Sequence, residues 1–193
     1  NPRYLTLEMF RFAFHVKAHR PDVRFVYLTA ENPADVRRVA GDAGFDHHDV
    51  LILRAEPSDV PRWLSLFRLG VFFLRPSYAA KASSFAKLGE FLAAGVPVVT
   101  NTGVGDVDRI LASDRCGLVL PGLTDRDLTA FAHKTLPLLE GDGVPEQIRR
   151  QCRAAAAEHF ALTEGARRYR AIYDSLASSP RPAEEAEIAA EVG

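Results

Sequence analysis

The sequence predicts an α/β protein built on a doubly wound parallel sheet. Five apolar segments of four to seven residues alternate along the chain with longer segments in which apolar residues recur at helical spacing. The short segments are nearly continuous in apolar character, which is typical of strands covered on both faces. Strands and helices that alternate in this way form parallel sheets, because each helix carries the chain back across the sheet before the next strand.

The first predicted helix is Leu5–His19, in which Leu7 and Phe10 begin an apolar face with helical spacing. An Arg-Pro-Asp tripeptide at 20–22 breaks that helix and precedes the first predicted strand. The predicted strands are Arg24–Ala30, Val50–Arg54, Gly70–Leu74, Pro97–Asn101 and Gly117–Leu120.

Helices are predicted between these strands and after the last one. The second helix begins at Asn32-Pro33, because proline suits the first helical turn, and it ends near Gly44. The other predicted helices are Ser58–Phe67, Ser84–Ala94, Asp106–Ser113, Thr124–Leu139, Pro145–Phe160 and Thr163–Ala177. We expect one domain over residues 1–177 and a loose tail over 178–193, which is rich in Pro, Ala and Glu.

The start of the chain differs from the usual start of such a sheet. A doubly wound sheet normally begins with a strand that feeds its first helix through a glycine-rich turn. Here the chain starts with Asn1, almost inside the first predicted helix. We therefore expect a piece of a longer protein whose first strand is missing, and a sheet that shows an open strand edge, a swapped neighbour or a strand supplied from elsewhere.

Composition limits the classes of function. The 193 residues are 47% hydrophobic and 25% charged, as in ordinary globular proteins. With 24 Lys and Arg against 25 Asp and Glu, the net charge of -1 argues against a nucleic-acid partner. No apolar stretch approaches the roughly 20 residues of a transmembrane helix, which leaves peripheral membrane association open. Two cysteines are too few for a disulfide framework, so we expect a cytoplasmic protein.

The segment from Arg75 to Gly95 is the best candidate for a binding site. It follows a strand and runs into a helix, and open α/β sheets bind ligands at the carboxyl ends of their strands. Ser83 or Ser84 is a good residue to cap that helix. The amides of Ser84, Phe85 and Ala86 would then point outward without partners, which makes an anion site suited to a phosphate group.

Charged side chains accompany these amides. Lys87 and Glu90 are three residues apart and lie on one helical face, while Arg75 and Lys81 lie in the preceding loop. A lysine neutralises a phosphate, and a carboxylate accepts hydrogen bonds from neighbouring sugar hydroxyls. The alternative interpretation, with equal weight on spacing alone, is a solvated Lys–Glu pair on an ordinary helix surface.

These residues form part of a longer motif. The segment Lys81–Val99, KASSFAKLGEFLAAGVPVV, resembles the donor-binding helix of GT-B glycosyltransferases, and above all the retaining group 1 family (family 4). Asn101–Asp106 and Cys116–Pro121 resemble the next two landmarks of the carboxyl-terminal domain in that family. The resemblance covers about Leu5 to Ala177. It implies a Rossmann-like half of a GT-B fold that binds a nucleotide sugar, with a separate amino-terminal domain for the acceptor.

The resemblance carries over residue by residue. Glu90 matches the family glutamate that binds the ribose hydroxyls, whereas Ala82 stands where many members have a second glutamate. One branch of the family has Lys-x-Ser-Ser-Pro-x-Lys-x-x-Glu instead, and this chain matches that pattern with Phe85 in place of proline. The contact to the donor sugar therefore differs from that of many members, while the contact to the nucleotide is kept.

The resemblance implies transfer of a sugar from a nucleoside diphosphate to an acceptor with retention, as in polysaccharide biosynthesis. Lys87 is the expected catalytic residue, because charge builds on the departing diphosphate. We expect the base near Ala55-Glu56, in the turn after a strand. The nucleotide sugar is the donor substrate, and no cofactor is expected. The alternatives are a sugar-nucleotide 2-epimerase of the same architecture and a binding module that performs no transfer.

Other motifs are weaker. Asp106-Val107-Asp108 has the spacing of a metal-binding Asp-x-Asp, but Asp106 is more simply a helix cap. The segment His47-His48-Asp49 lies between a helix and a strand with no further ligand nearby, so we interpret it as a polar turn. No metal site is therefore expected.

Overall fold

The computed structural model describes residues 3–46, 48–114 and 116–178. The strands are β1 (Phe25–Leu28), β2 (Val50–Leu53), β3 (Gly70–Val71), β4 (Val98–Asn101) and β5 (Gly117–Leu120). The helices are α1 (Thr6–His19), α2 (Pro33–Asp42), α3 (Val60–Ser65), α4 (Tyr78–Lys81), α5 (Ala86–Ala93), α6 (Val107–Asp114), α7 (Asp125–Thr135), α8 (Glu146–Phe160) and α9 (Leu162–Ser178), with a 3-10 helix at Leu136–Leu139. The predicted tail lies outside the described residues, except for its first residue, Ser178, which ends α9.

Local chemistry sets the helix boundaries. Asn32 caps α2, because its side chain accepts a hydrogen bond from the N–H of Ala34, and Pro33 occupies the first turn as predicted. The predicted helix Thr124–Leu139 divides into α7 and the 3-10 helix. Pro137 explains that division, since it has no N–H to continue the helical hydrogen bonds.

Every strand pair in the described chain is parallel, which confirms the predicted α/β class. β1 pairs with β2, and β4 lies between β3 and β5. All four residues of β4 are buried. Because neighbouring side chains on a strand point to opposite faces, this burial shows that both faces of the sheet are covered at β4.

The strands form two sheets instead of one continuous sheet, with the order β1-β2 in one and β3-β4-β5 in the other. One cavity is lined by residues of both β1 and β3, so the division falls between those two strands. Among the described strands, β1 pairs only with β2 and β3 only with β4, which agrees with the expected open strand edge. The predicted strand Gly70–Leu74 is also shorter than expected, since only Gly70 and Val71 belong to β3.

Compact packing divides the chain into two units, Asn1–His159 and Phe160–Gly193. The domain boundary that the sequence predicts after residue 177 stays a prediction. In the second unit, α9 exposes the large apolar side chains of Leu162, Tyr169, Ile172, Tyr173 and Leu176. No helix among the described residues is both long and apolar enough to cross a lipid bilayer.

The side chain of Asn101 joins the carboxyl ends of β3 and β4. Its Oδ1 accepts a hydrogen bond from the Leu74 N–H at 2.8 Å, and its Nδ2 donates to the Leu74 carbonyl at 3.0 Å. Asn101 and Leu74 are both buried. A buried main-chain group that loses its partner destabilises the fold, so these bonds fix where the chain leaves β3.

We expect Asn101→Ala to lower the free energy of unfolding by about 1–3 kcal/mol, because it leaves the N–H and the carbonyl of Leu74 buried without these partners. Urea unfolding followed by circular dichroism measures the change. Thr102→Ala is the matched control, since its side chain is exposed one residue later. Equal stability of the two variants would contradict the structural role of Asn101.

Candidate functional site

The candidate site lies in the loops that follow β3 and β4. The N–H of Gly105, in the loop after β4, donates to the carbonyl of Ala80, in the loop after β3, at 3.0 Å. A Cβ atom at Gly105 would lie 2.0 Å from the carbonyl oxygen of Ser83, and φ at Gly105 is +49°. Only glycine fits this backbone and this approach. Gly105 therefore brings the two loops together.

The helix of the motif begins later than predicted. α5 starts at Ala86, with Phe85 in the capping position and no side-chain cap. The Ser83 hydroxyl donates instead to the carbonyl of Ala79 at 2.7 Å, and Ser77 caps the short helix α4. The prediction that Ser83 or Ser84 caps the helix is wrong, because the Ser83 hydroxyl bonds within the turn of α4, a helix that the sequence pattern does not indicate.

The first amides of α5 nevertheless open to solvent. The N–H of Leu88 donates to the carbonyl of Phe85, so the amides of Ala86 and Lys87 precede the first bond of the helix. Ser84, Ala86 and Lys87 are exposed. The amino end of α5, with its partial positive charge, is therefore accessible to an anion.

Three aromatic rings hold the start of α5. The Phe85 ring stacks on Phe72 with a centroid distance of 5.2 Å and meets Tyr4 edge-on at 6.2 Å. The Nζ atom of Lys87 lies 4.3 Å from the centroid of the Tyr4 ring. A cation over an aromatic face is stabilised by the charge distribution of the ring. Tyr4 therefore positions the ammonium group of Lys87 beside the first turn of α5.

Lys87 and Glu90 are both exposed on α5, and no ion pair joins them in the part of the chain that the structure describes. Arg75 follows β3, and Lys81 ends α4; the side chains of both are exposed near the same edge.

Ala55 and Glu56 lie apart from these residues. They follow β2, which belongs to the other sheet. Parallel strands end at one edge, so this loop faces the same side of the protein, but β1 and the cavity separate β2 from β3. Arg75, Lys81 and the start of α5 thus lie in the segment between β3 and β4, whereas Ala55 and Glu56 follow β2 in the other sheet.

Shifted pKa values among the carboxyl groups occur mainly at ion pairs elsewhere on the surface. The Arg20 guanidinium holds the pKa of Asp22 at about 2 through a hydrogen bond. Arg167 and Arg168 lower the pKa of Glu164 to about 2 in the same way. These are ordinary ion pairs on the protein surface, and their shifted pKa values do not mark a reactive centre.

The weaker motifs of the sequence show no metal arrangement. Asp106 occupies the capping position of α6, since its carbonyl accepts the N–H of Ile110 at 3.0 Å. Asp49 pairs with Lys17, which lowers the pKa of that carboxyl group, and His47 lies outside the described residues. Within residues 3–46, 48–114 and 116–178, no three His, Cys, Asp or Glu side chains are grouped as metal ligands.

Sequence reasoning missed Tyr4 and the roles of Asn101 and Gly105. A polar residue at the end of an apolar strand was a signal for Asn101, and the Gly-Val-Gly turn was a weak one for Gly105. Tyr4 had no local signal, because its partners Leu74, Phe85 and Lys87 are distant from it in the sequence.

The fold matches solved glycosyltransferases. A glycosyltransferase from Rickettsia africae aligns with 91% of this chain at a TM-score of 0.70 and 12% identity. AviGT4, a glycosyltransferase involved in avilamycin A biosynthesis, aligns with 93% at a TM-score of 0.66 and 21% identity. This chain has the fold of a Rossmann-like half of a GT-B glycosyltransferase.

A protein described as a UDP-N-acetylglucosamine 2-epimerase from Listeria monocytogenes also shares the fold, with 92% of this chain aligned at a TM-score of 0.58 and 20% identity. The chain spans 45% of the Rickettsia protein, 50% of AviGT4 and 42% of the epimerase, which is half of each or less. No protein-family model matches the sequence, and no curated protein matches it.

We expect Gly105→Ala to destabilise the protein at least about twice as much as Gly103→Ala. Gly103 has φ +83° with nothing within 4 Å of a new Cβ, so its substitution costs only backbone strain of about 1–3 kcal/mol. Gly105→Ala adds a collision with the Ser83 carbonyl. Urea unfolding of both variants isolates that contact, and equal losses would contradict it.

Proposed function

We propose that this chain is the donor-binding domain of a glycosyltransferase, which moves a sugar from a nucleoside diphosphate to an acceptor with retention. The observation that carries the proposal is the open amino end of α5, where Lys87 and Glu90 are exposed beside the loop that Gly105 holds in place. The GT-B-like fold supports it, since ligands bind at the carboxyl ends of strands in open α/β sheets.

In this proposal the diphosphate binds at the first turn of α5. The amides of Ala86 and Lys87 donate to its oxygens, and the Lys87 ammonium neutralises the charge that builds as the bond to the sugar breaks. Arg75 and Lys81 add positive charge at the same edge. Ser83 and Ser84 lie in the turn that leads into the helix, and Phe85 contributes through its packed ring, which fixes the helix start.

Glu90 lies one turn into α5, where its carboxylate accepts hydrogen bonds from the ribose hydroxyls. Ala55 and Glu56 contact the base, which requires the nucleotide to extend along the sheet edge toward β2. The acceptor binds a second domain of the same polypeptide, and the protein acts in polysaccharide biosynthesis in the cytoplasm. No cofactor and no metal takes part.

A 2-epimerase is the second candidate, because one of the structures that share this fold is described as such an enzyme. The two activities differ in their products. An epimerase converts a nucleotide sugar without an acceptor and without releasing the nucleoside diphosphate, whereas a transferase releases the diphosphate. A third outcome, donor binding without turnover of any kind, identifies a binding module.

We expect Glu90→Ala to weaken the binding of nucleosides and of nucleoside diphosphates by the same factor, about 10- to 100-fold in the dissociation constant, because it removes hydrogen bonds to ribose. A thermal-shift screen of UDP, GDP, ADP and their nucleosides first selects the base. Calorimetric titration with the selected pair then measures the dissociation constants. Loss of diphosphate binding with unchanged nucleoside binding would contradict the role of Glu90.

Lys87→Ala should weaken binding of the diphosphate and leave binding of the nucleoside nearly unchanged. The loss of diphosphate affinity should shrink as added salt screens the charge. Lys134→Ala is the matched control, because the Lys134 ammonium lies 4.2 Å from the Phe131 ring centroid in α7 and repeats the same contact away from the site. If the Lys87 and Lys134 variants bind like the parent chain, the diphosphate does not bind at α5.

A further inference from the structure

Two histidine rings meet where α1 packs on α7. His19 is the last residue of α1, and His133 lies in the last turn of α7. The centroids of the two rings are 4.1 Å apart, and the ring planes are tilted by 46°. Both side chains are exposed. The two imidazoles are therefore in contact with each other and open to solvent.

The packing of the two helices sets this pair in register. One turn before His19, the Nε2 atom of His15 lies 3.2 Å from Oδ1 of Asp125. The hydroxyl of Thr129 lies 3.4 Å from each ring nitrogen of His15. Successive turns of α1 thus face successive turns of α7. His15 already has polar partners on α7, whereas His19 meets only the ring of His133.

The nitrogens of the His19 and His133 rings have no competing partner among the described residues. No hydrogen bond or ion pair is found there for either ring. The cationic side chains that flank the two histidines in sequence are held by other groups, in the pairs Lys17–Asp49, Arg20–Asp22 and Lys134–Phe131. Two imidazoles that lack other partners are free to share one ligand.

The electrostatics of the place favour a cation. The carboxyl end of a helix carries a partial negative charge of about half an elementary charge, and each histidine lies in the last turn of its helix. The same end of α7 already attracts two cations. The guanidinium groups of Arg20 and Arg68 both donate to the carbonyl of Leu139, at 2.6 and 2.9 Å, in the 3-10 helix that follows α7.

We propose that His19 and His133 bind one divalent transition-metal ion, which links α1 to α7. Imidazole nitrogen is a preferred ligand of Zn²⁺, Ni²⁺ and Cu²⁺, whereas Mg²⁺ and Ca²⁺ prefer oxygen. A tetrahedral Zn²⁺ bonded at about 2.0–2.1 Å to two imidazoles holds their nitrogens about 3.4 Å apart, and two rings in contact reach that separation by rotation of their side chains. Water fills the remaining positions. Two protein ligands bind Zn²⁺ less tightly than the four of a closed structural site, so the ion exchanges with solution.

The metal link joins helices that are associated with different sheets. Phe10 of α1 packs in one core with Ile52 of β2, whereas α7 follows β5. A bond from His19 to His133 therefore ties the β1-β2 sheet to the β3-β4-β5 sheet. The link lies at the opposite end of α1 from the candidate site, since the 14 residues of that helix span about 20 Å. It stabilises the fold and takes no part in nucleotide binding.

Calorimetric titration with ZnCl₂ tests the proposal on the 193-residue chain, freed of metal with a chelator and made without a histidine tag. We expect one Zn²⁺ per chain. Loss of a group that only supports a metal ligand costs about 10- to 100-fold in affinity, so His19→Ala and His133→Ala should each weaken binding at least about tenfold. His15→Ala is the matched control and should leave the affinity unchanged, because it removes a histidine from the same face of α1.

Unfolding measures the link between the helices. The unfolded chain does not hold the two rings together, so Zn²⁺ should raise the urea midpoint of the parent chain and of the His15 variant. It should not raise the midpoint of the His19 or His133 variants. Acid should remove the gain, because imidazole binds metal only in its neutral form. Circular dichroism without metal checks that each variant folds, as replacement of an exposed side chain should allow.

Three results would overturn the proposal. Equal Zn²⁺ affinity in all the variants would show adventitious binding elsewhere, such as at the adjacent His47 and His48. Loss of binding in the His15 and His19 variants, with the His133 variant unaffected, would place the ion on α1 alone. Absence of saturable binding to the parent chain would show that the rings only pack together. Each of these results leaves nucleotide binding at α5 untouched, so the two proposals fail separately.

Discussion

Two hydrogen bonds between the Asn101 side chain and the main chain of Leu74 determine how the candidate site is arranged. They hold the end of β3 against the end of β4, where the short parallel ladder has finished. Leu74 in turn forms a bridge with Tyr4, and the Tyr4 ring meets Phe85 and the Lys87 ammonium. A buried amide at the end of one strand is thus connected by direct contacts to the cation at the start of α5.

The sequence was enough to predict the alternation of strands and helices and their parallel arrangement. Each strand is a short apolar run, and each pairing is a consequence of helical crossovers, so local pattern decides both. It was also enough to place the exposed positions of Lys87 and Glu90 on one helix, since a spacing of three residues fixes their common face.

Contacts between distant residues could not be predicted in the same way. The start of α5 was placed too early because Ser83 is a good capping residue by type, yet its hydroxyl bonds to Ala79 in a helix of only four residues. Tyr4 precedes the first helix, and only the folded chain brings it beside Phe85 and Lys87. These contacts depend on tertiary packing, which local propensity does not encode.

The short strand β3 connects the cavity with the candidate site. One edge of its two residues pairs with β4, the other faces the cavity, and the chain continues from it directly into the loop that carries Arg75 and Lys81. A strand bonded on one side opens more readily than one bonded on both, because fewer hydrogen bonds must break. The candidate site at α5 and the open edge of β3 therefore belong to one structural unit.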